Sequence, residues 1–312
     1  MSKIAFLFPG QGSQSVGMGH DFYQEFDIVR ELFDMAEELT KIHLSRLCFK
    51  GPMEDLTETV NLQPAVTTVN LAALAAIEKE GLGPHISAGH SLGEYSALTA
   101  AGVLSREDTI RLVHQRGILM HREATQHEGA MHAIVGLPIE TVDTLCNQNQ
   151  DQGVVSVANH NMETQIVISG EPAAVEAVSR QAADQGARAV PLKVSGAWHS
   201  ELIRGAESDF RDYLEGVEFK DPTSPVLHNV TAREGDDPGQ IRILMADQLC
   251  SPVRWFDSMR RLIDEKVDTF VEVGPGRVLA GLLRKIVPSD YDCRSFNVNS
   301  MKTFEKFMNS VG

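Results

Sequence analysis

The stretch SAGHSLGEYSALTAAG, residues 87–102, sets a serine between two glycines where an apolar run gives way to helix formers. A strand that passes sharply into a helix at Ser91 would hold its hydroxyl exposed, with glycines allowing close approach on either side and the Leu92 N–H aimed at a developing oxyanion. That reading makes the chain an α/β protein with a serine nucleophile. The plainer reading is a helix N-cap serine, equally at home at such a junction. A chain of this length contains Gly-x-Ser-x-Gly by chance roughly one time in ten, so the surrounding pattern has to decide.

Upstream, KIAFLF reads as a short buried strand and PGQGSQSVGMG as a glycine-rich loop, leading to a helix from Asp21 to about Thr40. A second helix, roughly Gln63 to Glu80, precedes the strand into Ser91, and the helix after it covers Leu92 to Ala101. From about Gly129 the order changes to β-α-β-β-α-β: GAMHAIVGL, IETVDTLCNQ, GVVSVANH, TQIVISG, PAAVEAVSRQAADQG and ARAVPLKV. That is the ferredoxin-like order. Downstream come a helix from about Glu201, strand-like PVLHNV, helices near 241–249 and from Trp255 to Glu265, the strand DTFVEV, and a last helix from Val278. The expected fold is therefore α/β: an α/β-hydrolase-like, mostly parallel sheet over residues 1–126 and 198–312, with a small ferredoxin-like subdomain inserted at 127–197.

Composition narrows the function. The 312 residues are 42% hydrophobic, enough for a sizeable core, and the formal charge of -15 repels phosphate backbones and anionic membranes. Nucleic acid and membrane are not expected partners. Cys48, Cys146, Cys250 and Cys293 stand far apart with no C-x-x-C pair, which suits a reducing cytoplasm and suggests neither a zinc knuckle nor a disulfide framework. The five apolar residues Ile4 to Phe8 are too few for a signal-peptide core, and no later continuous run reaches membrane length.

A serine nucleophile needs a base. Of the eleven histidines, His90 adjoins Ser91 on an elbow whose neighbours point apart, so it reads as a pocket residue. His114 and His121 share a helix with Arg111, Arg116 and Arg122, where a solvated face is the default. His199, in SGAWHS, reads as lying at a strand end before a helix, where α/β enzymes keep functional side chains; a packed or capping histidine is the plainer alternative. No carboxylate stands out to complete a triad, since Asp184 lies inside an expected helix, so a neutral carbonyl would have to orient His199. Arg116 reads either as a solvated helix cation or as a guanidinium aimed at a substrate carboxylate. GQGSQS lacks the third glycine of a dinucleotide loop, GPG loses a donor at Pro275, and no H-E-x-x-H or close ligand cluster suggests a metal.

FPGQGSQ (8–14), GHSLGEYSAL (89–98), QRG (115–117), SGAWHSEL (195–202), QLCSPVRW (248–255) and VEVGPGRVLAGL (271–282) together resemble, in order and over nearly the whole chain, the malonyl-CoA:acyl carrier protein transacylases. The resemblance implies Ser91 as acyl-accepting nucleophile and His199 as general base, with the main-chain N–H groups of Gln11 and Leu92 as oxyanion hole. It implies that Arg116 holds the malonyl carboxylate and that the Gln248 carbonyl orients His199. Trp198 stands where malonyl-preferring members commonly carry Phe, and the larger indole favours malonyl over methylmalonyl. No bound cofactor is implied; the coenzyme A thioester and the phosphopantetheine thiol of an acyl carrier protein are substrates.

The expected reaction is transfer of malonyl from malonyl-CoA to the carrier protein through a Ser-linked malonyl-enzyme. The alternatives are a trans-acting polyketide synthase acyltransferase with another extender unit, a serine thioesterase or hydrolase, and a scaffold without activity. Since carrier proteins of this kind are acidic like the chain itself, docking needs a local basic patch, for which Arg254, Arg260, Arg261, Arg284 and Lys285 are the candidates.

Overall fold

The computed structural model describes residues 2–311. Strand β1 (Ile4–Phe8) is buried along its whole length, as a strand covered on both faces must be. Its side chains divide by the two-residue pleat: Ile4, Phe6 and Phe8 enter one apolar cluster, Ala5 and Leu7 another on the opposite face. The glycine loop then leads to helices α1 (His20–Glu25) and α2 (Asp27–Thr40). The single helix expected over 21–40 is interrupted because Phe26 is extended (φ -116°, ψ 123°); there its ring meets those of Phe22 and Phe304.

Helices α3 (Leu44–Lys50) and α4 (Met53–Thr57) are short and were not expected from the sequence. Helix α5 (Thr59–Lys79) is buried on nearly every side. It is long and apolar enough to cross a membrane by length and composition, although Asn, Gln and Thr break its apolar residues into runs far short of membrane length. Yet 89% of its most apolar window is buried inside the protein, which makes it the core helix.

Strand β2 (Ile86–Gly89) is followed by α6 (Gly93–Ala100) and α7 (Arg106–Gln126), the latter capped by the Ser105 side chain accepting from Asp108 N. Next come β3 (Ala130–Val135), α8 (Ile139–Gln148), β4 (Val155–Met162), β5 (Gln165–Gly170), α9 (Pro172–Asp184) and β6 (Arg188–Pro191). These four strands form an antiparallel sheet in the order β4-β5-β3-β6, with α8 and α9 burying its apolar face in a third cluster. The ferredoxin-like order read from the sequence is present.

The chain returns through a 3-10 turn (Glu201–Ile203) to α10 (Arg204–Leu214), β7 (Val226–Leu227), α11 (Pro238–Asp247), α12 (Trp255–Asp264), β8 (Thr269–Val273) and α13 (Val278–Ile286). The helix from Val278 is not the last, since β9 (Arg294–Val298) and α14 (Met301–Val311) follow it. The main sheet runs β7-β2-β1-β8-β9 with every pairing parallel, giving the α/β architecture expected. Phe8 pairs with Gly89 in register, so the end of β1 and its glycine loop lie against the turn at Ser91. The antiparallel sheet meets the rest of the chain through β4, where Val253, in the loop between α11 and α12, donates its N–H to Ala158 O and accepts from His160 N.

Candidate active site

The turn at Ser91 is built by close approach. A Cβ on Gly89 would stand 2.0 Å from the carbonyl carbon of Gly93, and one on Gly93 would stand 2.0 Å from Phe8 O. Gly10 is held as tightly, since its Cβ would lie 2.5 Å from His90 O and 3.4 Å from Leu92 N. These glycines bring the β1 loop against the elbow, so Gly10-Gln11 serves the turn. Gly276 extends the stack, packing on the Ser13 backbone. Ser91 adopts φ 51°, a left-handed conformation that costs a non-glycine residue about 1–3 kcal/mol and is held by the surroundings. Asn229, a residue the sequence did not single out, supplies part of that hold: its Oδ1 accepts from Ser91 N at 2.6 Å and its Nδ2 donates to Gly89 O at 2.6 Å.

Ser91 Oγ lies 2.8 Å from His199 Nε2. His199 Nδ1 faces the main-chain oxygen of Gln248 at 2.8 Å, and a carbonyl only accepts, so Nδ1 carries the proton and Nε2 presents its lone pair to the serine hydroxyl. The histidine does not sit at a strand end as the sequence suggested. It lies eight residues beyond β6 in a loop, with φ 58°, and is nearly fully buried. Burial, then the charge of Arg116, pulls its pKa from 6.5 down to about 3, against the pull of its bond to Gln248.

Arg116 is not on the solvated face of α7 but buried, at 1% exposure. Its Nη1 donates to Gln63 Oε1 (2.9 Å), and its Nη2 to Gln248 Oε1 (3.1 Å) and Ser91 Oγ (3.3 Å). Its Nε is buried without a partner among the described residues. His114 and His121, on the same helix, line no part of this pocket. The pocket, about 110 Å³, is lined on its polar side by Gln11, Gln63, His90, Ser91, Arg116 and His199, and on its apolar side by Met120, Met131, Leu192, Val194 and Trp198. Gln11 and Leu92 both border it, and neither main-chain N–H donates to a protein acceptor among the described residues. His90 Nε2 is 2.8 Å from Asn161 Oδ1, and its ring lies 5.4 Å from that of Trp255. Trp198 is buried, the far edge of its indole packed over Gly196.

Gln11, His90, Ser91, Leu92, Arg116, Trp198 and His199 thus border one cavity, and Gln248 stands behind it in contact with His199 and Arg116. Gln63, Asn161 and Asn229 join them unannounced, because an amide in a helix, strand or loop carries no local signal of what it will face. Among the described residues no group of three or more His, Cys, Asp or Glu side chains could hold a metal ion. The basic candidates fall into two sets. Arg254 pairs with Asp257 (2.8 Å) and Arg261 with Glu265 (2.8 Å), while Arg260, Arg284 and Lys285 are exposed and have no ion-pair partner among the described residues.

An acyl transferase domain model matches residues 5–303. The chain is 45% identical over 288 residues to the malonyl CoA-acyl carrier protein transacylase of Bacillus subtilis strain 168, covering 92% of this chain and 91% of that one. It is 40% identical over 307 residues to the enzyme of the same name from Staphylococcus aureus strain MRSA252, covering 98% and 97%. Among solved structures, the acyl carrier protein S-malonyltransferase of Vibrio cholerae O1 superposes with a TM-score of 0.93 at 38% identity, over 98% of this chain and 100% of that one. A malonyl-transacylase in complex with its type II PKS acyl-carrier protein gives 0.94 at 37%, over 99% and 100%.

Proposed function

The chain belongs to the acyl transferase domain family, with the malonyl CoA-acyl carrier protein transacylases as its relatives, and from that premise we propose that Ser91 carries a malonyl group as an ester between two thiols. The protein is an acyltransferase. The observation that carries the finer reading is the line Ser91 Oγ, His199 Nε2, His199 Nδ1, Gln248 O, with the buried Arg116 beside the serine.

His199 Nε2 takes the Ser91 proton as Oγ attacks the thioester carbonyl of malonyl-CoA. The N–H groups of Gln11 and Leu92 receive the oxyanion; Ser91's own N–H is committed to Asn229, which leaves the next residue for that task. The C–S bond breaks, and the leaving sulfur recovers the proton from His199. The phosphopantetheine thiol of an acyl carrier protein then passes its proton to His199 and attacks the ester, and the Ser91 hydroxyl is regenerated. Arg116 pairs with the free malonyl carboxylate, and once that pair forms, one cause of the depressed His199 pKa is removed, so the base strengthens when substrate is seated.

A neutral carbonyl steadies the imidazolium less than a carboxylate would, which favours transfer over rapid hydrolysis. His90, held by Asn161, and Trp198 close the acyl pocket, the indole restricting room for an α-substituent. Arg260, Arg284 and Lys285, uncommitted to acidic neighbours, are the core of the carrier-docking patch. The unit 127–197 contributes Met131, Asn159, Leu192 and Val194 as a cover that keeps water from the ester. The four free cysteines fit a cytoplasmic location.

Intact-mass spectrometry after mixing with malonyl-CoA tests the proposal. A lasting malonyl adduct that Ser91→Ala abolishes is expected; free malonate with no adduct would make the protein a hydrolase, and neither product a scaffold.

A further inference from the structure

Among the described residues no carboxylate hydrogen-bonds the histidine of the dyad, yet one lies just behind. Glu94, on the first turn of α6, is 1% exposed and accepts three hydrogen bonds: from His228 Nδ1 (2.8 Å), Asn229 N (3.2 Å) and Gln248 Nε2 (2.6 Å). Two of its three partners are themselves tied to the reacting groups. Asn229 holds the Ser91 N–H. Gln248 touches three functional residues at once: its main-chain oxygen accepts from His199 Nδ1, its Oε1 from Arg116, and its Nε2 donates to Ser91 O as well as to Glu94.

We propose that Glu94 is a positioning residue for the dyad, acting through Gln248 and Asn229 to fix the carbonyl that orients His199 and the turn that presents Ser91. This rests on the acyl-transfer reading above. The physical case is donor counting. Three N–H groups converge on one buried site, and only a carboxylate accepts from all three without an opposing donor. Its charge sits at the positive end of α6, where a carboxylate is favoured. An amide of the same shape would turn one N–H pair toward another and release Gln248. His228, fully buried, anchors the far side of Glu94, and its Nε2 has no partner among the described residues and lies against Gly235, where an added Cβ would be 2.8 Å away.

The test combines loading kinetics with the state of the histidine. Glu94→Gln is expected to slow malonyl-enzyme formation about 10- to 100-fold, the scale of a small misplacement of a reacting group, with little change in KM. Acetyl-CoA loading should fall by the same factor, since His199 serves both acyl groups. In ¹⁵N-histidine NMR the slowly exchanging His199 Nδ1 proton should be present in wild type and lost in the variant. His228→Leu, which leaves Glu94 one donor short, should reproduce these effects, and His228→Asn, which restores a donor at the Nδ1 position, should reverse them. This pair decides the matter if Glu94→Gln does not fold. Wild-type loading with an unchanged Nδ1 signal in Glu94→Gln, or identical behaviour of the two His228 variants, would overturn the proposal. If wild type forms no malonyl-enzyme the reaction assigned above is wrong, and the Nδ1 signal still reports whether Glu94 governs His199.

Discussion

The serine side of the pocket is fixed by backbone contact, the histidine side by hydrogen bonds that cross the chain. At the elbow, Gly10, Gly89 and Gly93 leave no room for a single added methyl, and the register of β1 with β2 sets the turn. His199 hangs in a loop beyond the antiparallel sheet and is aimed by one carbonyl, whose own place depends on Gln248, Glu94 and the strand-like contact of Val253 with β4. Steric devices tolerate nothing, even where they join segments as far apart as Phe8 and Gly93. Polar devices tolerate adjustment and draw on residues as far apart as 91 and 248.

The largest effect is expected at the elbow. Gly89→Ala forces a Cβ to 2.0 Å from rigid backbone, so a loss of more than about 4 kcal/mol, or no folded protein, is expected in chemical denaturation. A mild effect there would mean that the turn is not held by contact. Arg116→Ala acts on the polar side and should leave the fold intact. Removing one partner of a buried charge pair costs about 2–5 kcal/mol, so malonyl transfer should drop at least about 30-fold relative to acetyl transfer. Equal losses for both acyl groups would remove Arg116 from carboxylate recognition.

The smallest effect is in pH. His199 binds its proton below about pH 3 when folded but near its ordinary 6.5 when unfolded, so the unfolded chain holds the extra proton in between. Stability therefore rises with pH across that window, and His199→Ala should reduce the slope there by the share of one proton. Because a bound carboxylate offsets Arg116, the acid limb of kcat should lie at higher pH than that of kcat/KM. Coincident limbs would show that substrate leaves the base untouched.

What the sequence made legible follows the same division. Ser91, Leu92 and the strand-turn-helix around them could be read because Gly-x-Ser-x-Gly is a local steric pattern, and β-α-β-β-α-β because its elements are periodic. Asn229, Gln63 and Glu94 could not be read, since their roles exist only once distant segments meet. The break at Phe26 was hidden because the residues around it keep helical spacing while the ring is drawn into a cluster with Phe304, 278 positions away. His199 reads as lying at a strand end because ARAVPLKV has strand composition to its end, whereas β6 ends at Pro191 and, after one more bond from Leu192 N to Met131 O, the chain turns away over the pocket. Arg116 was ambiguous for a related reason: helix α7 carries arginines on several faces, and only packing against α5 decides which is buried.

In the mechanism proposed, the acyl group rests on Ser91 between two separate half-reactions. Isotope exchange tests it most directly: labelled free CoA is mixed with unlabelled malonyl-CoA and the protein, with no carrier protein present. An ester intermediate predicts label appearing in malonyl-CoA in wild type and not in Ser91→Ala. No exchange in wild type, with transfer to the carrier protein still proceeding, would contradict it.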